Sequence, residues 1–233
     1  RFDGTQQDSA YGAQQYRGSA AIGGVGREVL LTVSREAVKP GVGGARVQNG
    51  RQRVARSSAT FVGIGFHLSD LDVPYNPRRG HVWETLLEYG TRRRARTVED
   101  GGTPVRERTA TRQERLTTQA RLYRPLARRV VAAAGVDGYA LLSDAYEESE
   151  LFRLGGAATL RGYDEDRFRP RYAARGFAEV RLLLDRLSYA FAFADAAYLD
   201  QPETTGVSSL RGVYPGYGLG VQVSTGVGLV VAT

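Results

Sequence analysis

Apolar and polar residues alternate along most of this chain with a period of two, which is the pattern of a β-strand with two unlike faces. In residues 58–68, for example, Val62, Ile64 and Phe66 share one face, and Gly63 and Gly65 lie on the other. Runs of this kind predict about ten strands, at residues 11–22, 28–37, 58–68, 81–91, 116–124, 129–140, 177–185, 188–198, 217–223 and 227–231. No segment shows the period of a helix.

Three segments interrupt the alternation. Residues 69–80 are rich in turn formers, and residues 98–107 predict a polar loop. Residues 141–174 predict a much longer polar loop. Loops of more than about 15 residues are uncommon inside a compact domain and are usually functional or disordered. Short turns, such as the one at Asp185 and Arg186, therefore alternate with long loops.

Two architectures share this alternation. A soluble sandwich buries one face of each strand, whereas a transmembrane barrel turns its apolar face to lipid. Tilted strands of about 9–11 residues match the thickness of a bilayer, and the unequal loop lengths favour the barrel. The expected fold class is all-β: a partial transmembrane antiparallel β-barrel with a long inward-folded loop at residues 141–174.

Composition narrows the class further. The chain has 233 residues, of which 42 % are hydrophobic and 24 % charged. No run approaches the roughly 20 apolar residues of a membrane-spanning helix. The absence of cysteine excludes disulfides and thiolate chemistry. The net charge is +7, but the arginines are scattered. Scattered arginines predict a charged lumen and charged loops, and no nucleic-acid partner.

The two ends of the sequence suggest a piece of a larger barrel. The chain begins at Arg1 without a charged-then-apolar leader, and it stops inside the apolar run 227–231. We therefore expect one barrel domain, 1–233, that is cut at both ends, with any secretory signal absent or already removed.

The candidate chemistry lies in residues 154–168, where Arg161, Gly162 and Tyr163 interrupt a long polar loop. A guanidinium folded into a barrel lumen requires carboxylate partners. Glu179 and Asp195 each lie on the polar face of a predicted strand and are placed to supply them. This trio either holds the loop in place or takes a direct part in gating or assembly, and both readings stay open.

Other reactive side chains lack a functional pattern. His67 and His81 have no cluster of metal-ligand residues beside them, and Asp70 and Asp72 fit a turn. Ser143 and Ser188 lack the His and Asp partners of a nucleophilic serine. We therefore expect no enzyme activity, no catalytic residue, no metal and no cofactor.

Four features in this order resemble the Omp85 superfamily of outer-membrane assembly and translocation barrels, the bacterial surface-antigen family. They are a D-x-D-x-P-x-x-P-x-x-G segment at 70–80, an L-R-G-Y motif at 160–163 preceded by Gly155 and Gly156, two strands carrying Glu179 and Asp195, and the segment GYGLGVQ at 216–222 with Gly218, Gly220 and Gln222.

The resemblance implies that residues 1–233 are part of a C-terminal barrel domain of about 16 strands in the bacterial outer membrane, with roughly five early strands and the final strand outside this chain. It implies that Arg161 at the loop tip pairs with Glu179 and Asp195. Gly162 would let the loop backbone approach the wall, and Tyr163 would pack there. The implied partners are outer-membrane lipids, client outer-membrane or secreted proteins, and periplasmic or lipoprotein accessory subunits.

The implied function is protein assembly or insertion without chemical catalysis, in which client strands add to a barrel edge by backbone hydrogen bonds. Three alternatives remain: a secretion channel of the same superfamily, a membrane anchor for an enzyme fused upstream, and a plain porin. The porin alternative predicts an open lumen without an inward-folded loop.

Overall fold

The computed structural model describes residues 2–7, 10–48, 51–225 and 228–233 of the chain. The strands are β1 (Phe2–Gln7), β2 (Tyr11–Gly24), β3 (Arg27–Pro40), β4 (Val47–Gln48), β5 (Arg51–Gln52), β6 (Arg56–Ser69), β7 (Gly80–Asp100), β8 (Thr103–Ala127), β9 (Val130–Ser143), β10 (Tyr172–Leu183), β11 (Tyr189–Gln201), β12 (Leu210–Thr225) and β13 (Gly228–Ala232). One 3₁₀ turn, Glu148–Glu150, accompanies them. Within these described ranges, no helix is long and apolar enough to cross a membrane.

The strands form one antiparallel sheet that does not close. Its order is β1-β2-β3-β6-β7-β8-β9-β10-β11-β12-β13, with the short β4 and β5 off this path. Each strand except these two pairs with its neighbour along the path, so the sheet is a meander. The predicted partial antiparallel β-barrel of about ten strands is confirmed.

The predicted polar loop at residues 98–107 is wrong. β7 and β8 continue their pairing through Val98–Val105 as far as Asp100–Thr103, and the turn is only Gly101 and Gly102. Both glycines have positive φ, which suits a tight hairpin turn. The charged side chains of this stretch hid the strands, because a hairpin that extends beyond an apolar band needs no apolar face.

The two rims of the sheet differ in the length of their connections. One rim, called here the loop end, carries the connection 41–55, the β7–β8 turn, the loop 144–171 and the connection 202–209. The other, the turn end, carries 25–26, 70–79, 128–129 and 184–188. The long loop is therefore shorter than the predicted 141–174, because its first and last three residues extend β9 and β10. In transmembrane barrels the longer loops lie on the extracellular side.

The outer face of the sheet is apolar and uncovered. Register places Val33 beside Val62, Val62 beside Tyr89, and all three side chains are about half exposed. Further exposed apolar side chains continue this band around the sheet: Leu31, Ile64, Phe66, Leu87, Val136, Val180, Leu182, Leu219. A soluble sandwich would cover such a face with a second sheet. The described residues form a single sheet, so the band is suited to lipid.

The inner face is polar and charged. Arginine and glutamate side chains of neighbouring strands alternate with the outward apolar positions and pair across the lumen. Arg92 of β7, which is 1 % exposed, donates to Gln113 and Ser57 and pairs with Glu36. The long loop 144–171 packs against this inner face.

Candidate functional site

The long loop narrows into a short stem before its tip. Leu154 and Phe168 form a two-residue antiparallel bridge in which each backbone N–H donates to the other's carbonyl, at 3.1 and 2.8 Å. Gly155 and Gly156 follow at positive φ, and a Cβ on Gly155 would lie 2.2 Å from the carbonyl oxygen of Asp164. The glycine pair therefore lets the two sides of the stem approach, and the tip, Leu160 to Tyr163, is presented beyond it.

The stem rests on an apolar base. Leu154, Leu160 and Phe168 are buried against small and apolar wall residues: Ala173 of β10, and Ala197 and Leu199 of β11. Burial of a large apolar side chain contributes about 1.5–3 kcal/mol. The base therefore stabilises the inward course of the loop independently of its charges.

Arg161 at the tip is bound by two wall carboxylates. Its Nε and Nη2 donate to the two oxygens of Asp195 at 3.0 and 2.5 Å, and its backbone N–H donates to Asp195 Oδ2 at 3.1 Å. Its Nη1 donates to Glu179 Oε1. Arg161 and Asp195 are each 4 % exposed. The structure thus brings together Arg161, Glu179 and Asp195, and a two-pronged guanidinium–carboxylate contact fixes both position and orientation.

Aromatic rings enclose the guanidinium. The Cζ atom of Arg161 lies 4.0 Å from the ring centroid of Phe193, with Phe177 and Phe191 at 5.6 and 5.8 Å. A cation over an aromatic face is stabilised by the ring quadrupole, and the effect grows when water is excluded. The rings also lower the local dielectric, so the ion pairs with Asp195 and Glu179 are stronger here than at the surface.

The wall has no side chain where the tip comes closest. A Cβ on Gly216 would lie 2.0 Å from the carbonyl oxygen of Arg161, whereas a Cβ on Gly162 would lie 3.6 Å from Gly216 Cα. The close approach therefore depends on Gly216. Gly162 is required for another reason: its φ is +89°, which residues with a Cβ rarely adopt.

Tyr163 ties the tip to β12. Its hydroxyl donates to the carbonyl oxygen of Pro215 at 2.8 Å. Its ring meets Phe168 and Tyr214 edge-on, with centroids 5.1 and 6.2 Å away. Arg161 and Tyr163 thus hold the tip to three adjacent wall strands, β10, β11 and β12.

The glycine-rich segment of β12 lies beside a row of aromatic side chains on β11. Register places Phe193 opposite Gly218, Phe191 opposite Gly220 and Tyr189 opposite Gln222. A Cβ on Gly218 or Gly220 would lie 3.1 or 2.4 Å from the facing phenylalanine ring. Gln222 Oε1 accepts from the Tyr189 hydroxyl at 3.1 Å. The glycines leave room for the rings that surround Arg161.

The charged cluster is larger than the predicted trio. Arg175 bridges Asp195 and Asp137 at 3.0 and 2.9 Å, and Arg181 pairs with Glu179 at 2.7 Å. These residues were missed as site residues, although Arg181 lies two residues after Glu179 on the same face of a predicted strand and Asp137 lies within another, 129–140. Arg175 lies on the same face of β10 as Glu179, but the predicted strand began at residue 177, so its inward orientation was not predicted.

A second ionic cluster, missed entirely, anchors the start of the loop. Glu150 accepts from Nε and Nη2 of Arg94 at 2.6 Å each and from Gln113 Nε2 at 2.7 Å. Arg92 Nε lies 3.5 Å from the same carboxylate, whose side chain is fully buried. The signal was hidden, because Arg92 and Arg94 lie in the part of β7 beyond the predicted strand end.

Two neighbouring glutamates extend this anchor. Glu148 pairs with Arg53 at 3.0 Å, and Glu147 pairs with Arg96 of β7. The loop 144–171 is therefore bound to the wall at both its start and its tip.

The other residues singled out in the sequence lie apart. His67 contacts Glu84 at 2.9 Å on the inner face, whereas His81 contacts Asp70 at the exposed turn end. Asp72 caps the 70–79 turn by accepting the backbone N–H groups of Val73, Arg78 and Arg79. Asp185 lies in the exposed turn after β10, as its predicted turn with Arg186 requires, and accepts from the backbone of Leu187 and Ser188. The predicted strand 177–185 was two residues too long at this end, because β10 ends at Leu183.

A partial antiparallel β-barrel with a loop bound inside it defines the class of protein. The Omp85 superfamily domain matches residues 8–233, so the chain belongs to the Omp85 superfamily. Members of this superfamily are outer-membrane proteins of bacteria. No curated protein sequence matches the chain.

Proposed function

We propose that this barrel belongs to an outer-membrane protein assembly factor, which inserts client β-barrel proteins into the membrane without chemical catalysis. The supporting observation is the bound loop tip: Arg161 occupies the lumen between Asp195 and Glu179. A plain porin keeps its lumen open for solutes, whereas here buried ion pairs hold a 28-residue connection, 144–171, inside. Family membership supports the same function.

In this proposal the bound loop stiffens the barrel wall from within. Arg161 couples β10 through Glu179 to β11 through Asp195, and Tyr163 adds β12. Client strands then pair with a barrel edge through backbone hydrogen bonds, and the protein supplies a rigid template and a locally disturbed bilayer. No metal, nucleotide or covalent step takes part.

A secretion channel is the second candidate, and one observation favours it. Below the loop, towards the turn end, the inner face lines a cavity of about 730 Å³ with polar side chains, including Gln15, Arg17, Glu28, Glu84 and Gln119. A polar, water-accessible space suits the passage of an unfolded chain. Passage would require the loop to leave its ion pairs.

One reconstitution distinguishes the candidates. The protein containing this barrel is placed in vesicles of bacterial phospholipids, and a urea-denatured outer-membrane client is added outside. An assembly factor speeds the appearance of the folded client, read from its heat-modifiable gel mobility, relative to vesicles containing a porin. A secretion channel instead delivers unfolded client to the vesicle interior, where added protease does not reach it. If the client neither folds faster nor reaches the vesicle interior, both candidates are contradicted and the membrane anchor is left.

A further inference from the structure

The outer face carries a basic groove at the loop end of the apolar band. Lys39 of β3, Arg56 of β6, Arg93 of β7 and Arg108 of β8 line a groove of about 530 Å³, here called the outer groove. All four side chains are exposed. The floor between them is made of small residues: Ala37, Ser58, Ala95 and Ala110.

Register fixes the arrangement of the four cations. Arg56 pairs with Ala95, and Ala95 pairs with Arg108, so these residues form one row across the sheet. Lys39 lies one residue beyond the last β3–β6 pair, next to Arg56 in the same row. Neighbouring strands lie about 4.8 Å apart, so the row is roughly 14 Å wide. Arg93 lies two residues before Ala95 on the same outward face of β7, and so is closer to the apolar band than the row.

These four cations differ from the arginines of the lumen. Arg92, Arg94, Arg161 and Arg175 all pair with carboxylates. In the described part of the chain, no hydrogen bond or ion pair involves the side chain of Lys39, Arg56, Arg93 or Arg108. Four positive charges around a groove with a floor of small residues repel one another unless an anion lies between them.

The position of the groove selects the kind of anion. On β3, Arg35 and then Val33 lie below Lys39 on the same outward face, so the groove leads directly into the apolar band. The longer loops of transmembrane barrels are extracellular. We propose that the outer groove binds the phosphorylated head group of an outer-leaflet lipid, whose acyl chains lie along the apolar band. The 14 Å row, from register and the roughly 4.8 Å strand spacing, is wide enough for a head group with more than one phosphate.

This inference rests on the proposed membrane placement, but it does not depend on assembly activity. Arginine and lysine near a bilayer surface bind phosphate through charge-assisted hydrogen bonds. A lipid bound across β3, β6, β7 and β8 would lie on the outer face of β7, the strand whose inner face carries Arg92 and Arg94. Lipid binding would therefore stabilise the same strands that anchor the loop.

The test uses native mass spectrometry of the detergent-solubilised protein with added diphosphoryl lipid A as the probe. The groove variant is Arg56→Gln/Arg93→Gln/Arg108→Gln. The control variant, Arg124→Gln/Arg128→Gln/Arg129→Gln, removes the same charge from exposed arginines at or near the turn end. We expect at least about tenfold weaker binding for the groove variant, because its three charge-assisted contacts to phosphate are lost. The control should change binding less than about twofold.

Equal loss in both variants, or no loss in either, would overturn the proposal. Heat-modifiable gel mobility in vesicles shows separately whether each variant inserts, so a failure of membrane placement is distinguishable from a failure of lipid binding. If the triple variant does not fold, Arg93→Gln alone decides, with an expected loss of about threefold. Binding of monophosphoryl lipid A as tightly as the diphosphoryl form would contradict a site for more than one phosphate.

Discussion

Asp195 accepts three hydrogen bonds from Arg161, one from its backbone N–H and two from its guanidinium. The backbone contact is informative, because it requires the loop itself, and not only a long side chain, to reach the wall. Gly216, the β12 residue opposite Asp195, leaves the space that this approach needs. The loop tip and the wall are therefore complementary in both charge and shape.

Arg161→Lys should destabilise the folded barrel although it keeps the positive charge. An ammonium cannot contact both oxygens of Asp195 and Glu179 in the fixed geometry of a guanidinium. Breaking a buried pair costs roughly 3–5 kcal/mol, and a lysine that keeps one contact should lose about half of that. The measurement is the temperature at which heat-modifiable gel mobility is lost. Arg167→Lys, on an exposed residue of the same loop, should leave that temperature unchanged.

Gly216→Ala should displace the loop tip. The new methyl group would lie 2.0 Å from the Arg161 carbonyl oxygen, so either the loop or β12 must move. We expect the tip to become sensitive to added protease in the folded, membrane-inserted protein. The matched control is Gly212→Ala on the same strand, where the nearest atoms lie 3.6 Å away. Equal protection of the tip in both variants would show that the close approach is unimportant.

Glu150→Gln should weaken the anchor at the start of the loop. The substitution keeps the volume but removes the charge that compensates buried Arg94 and Arg92. Its cost should approach the roughly 3–5 kcal/mol of a broken buried pair, measured as the change in unfolding free energy in urea. Glu203→Gln, at an exposed residue of another loop-end connection, serves as the control. A result within about 0.5 kcal/mol of wild type would contradict the anchor.

Acid should loosen the 70–79 turn through Asp72. Slight burial opposes ionisation, but backbone N–H groups of Arg78, Arg79 and Val73 outweigh it and hold the pKa of Asp72 below its usual value. Because the folded pKa is depressed, the stabilisation is complete above the unfolded value of about 3.9. It is lost as the pH falls through the folded value. Hydrogen-exchange protection of the Arg78 and Arg79 amides should fall in that window, and Asp72→Asn should remove the pH dependence.

The sequence predicted the lumen contacts of the loop tip better than the ionic contacts that anchor the start of the loop. Glu179 and Asp195 lie on strands whose alternation is unbroken, so their inward orientation followed directly. Glu150 and Arg94 could not be placed together, because the strand β7 continues past Tyr89 as a charged segment that resembles a loop. An apolar face marks a strand only where the strand meets lipid or core, and β7 leaves that band before Arg92.

The outer groove was hidden for a related reason. Lys39, Arg56, Arg93 and Arg108 are distant in sequence, and their neighbourhood depends on strand register. Register across a 15-residue connection such as 41–55 cannot be deduced from alternation alone, since a shift by two residues preserves every face. The structure supplies that register and so separates the paired lumen arginines from the unpaired outer ones.

The central claim, a loop tip held in the lumen by Arg161 and Asp195, is tested most directly by a double-mutant cycle. Arg161→Ala, Asp195→Ala and the double variant are each unfolded in urea in the same detergent, and the coupling free energy is taken from the four stabilities. The account predicts a favourable coupling of about 2 kcal/mol or more, since the pair is buried and two-pronged. Additive effects, with coupling below about 0.5 kcal/mol, would show that the two residues do not interact in the folded protein and would contradict the account.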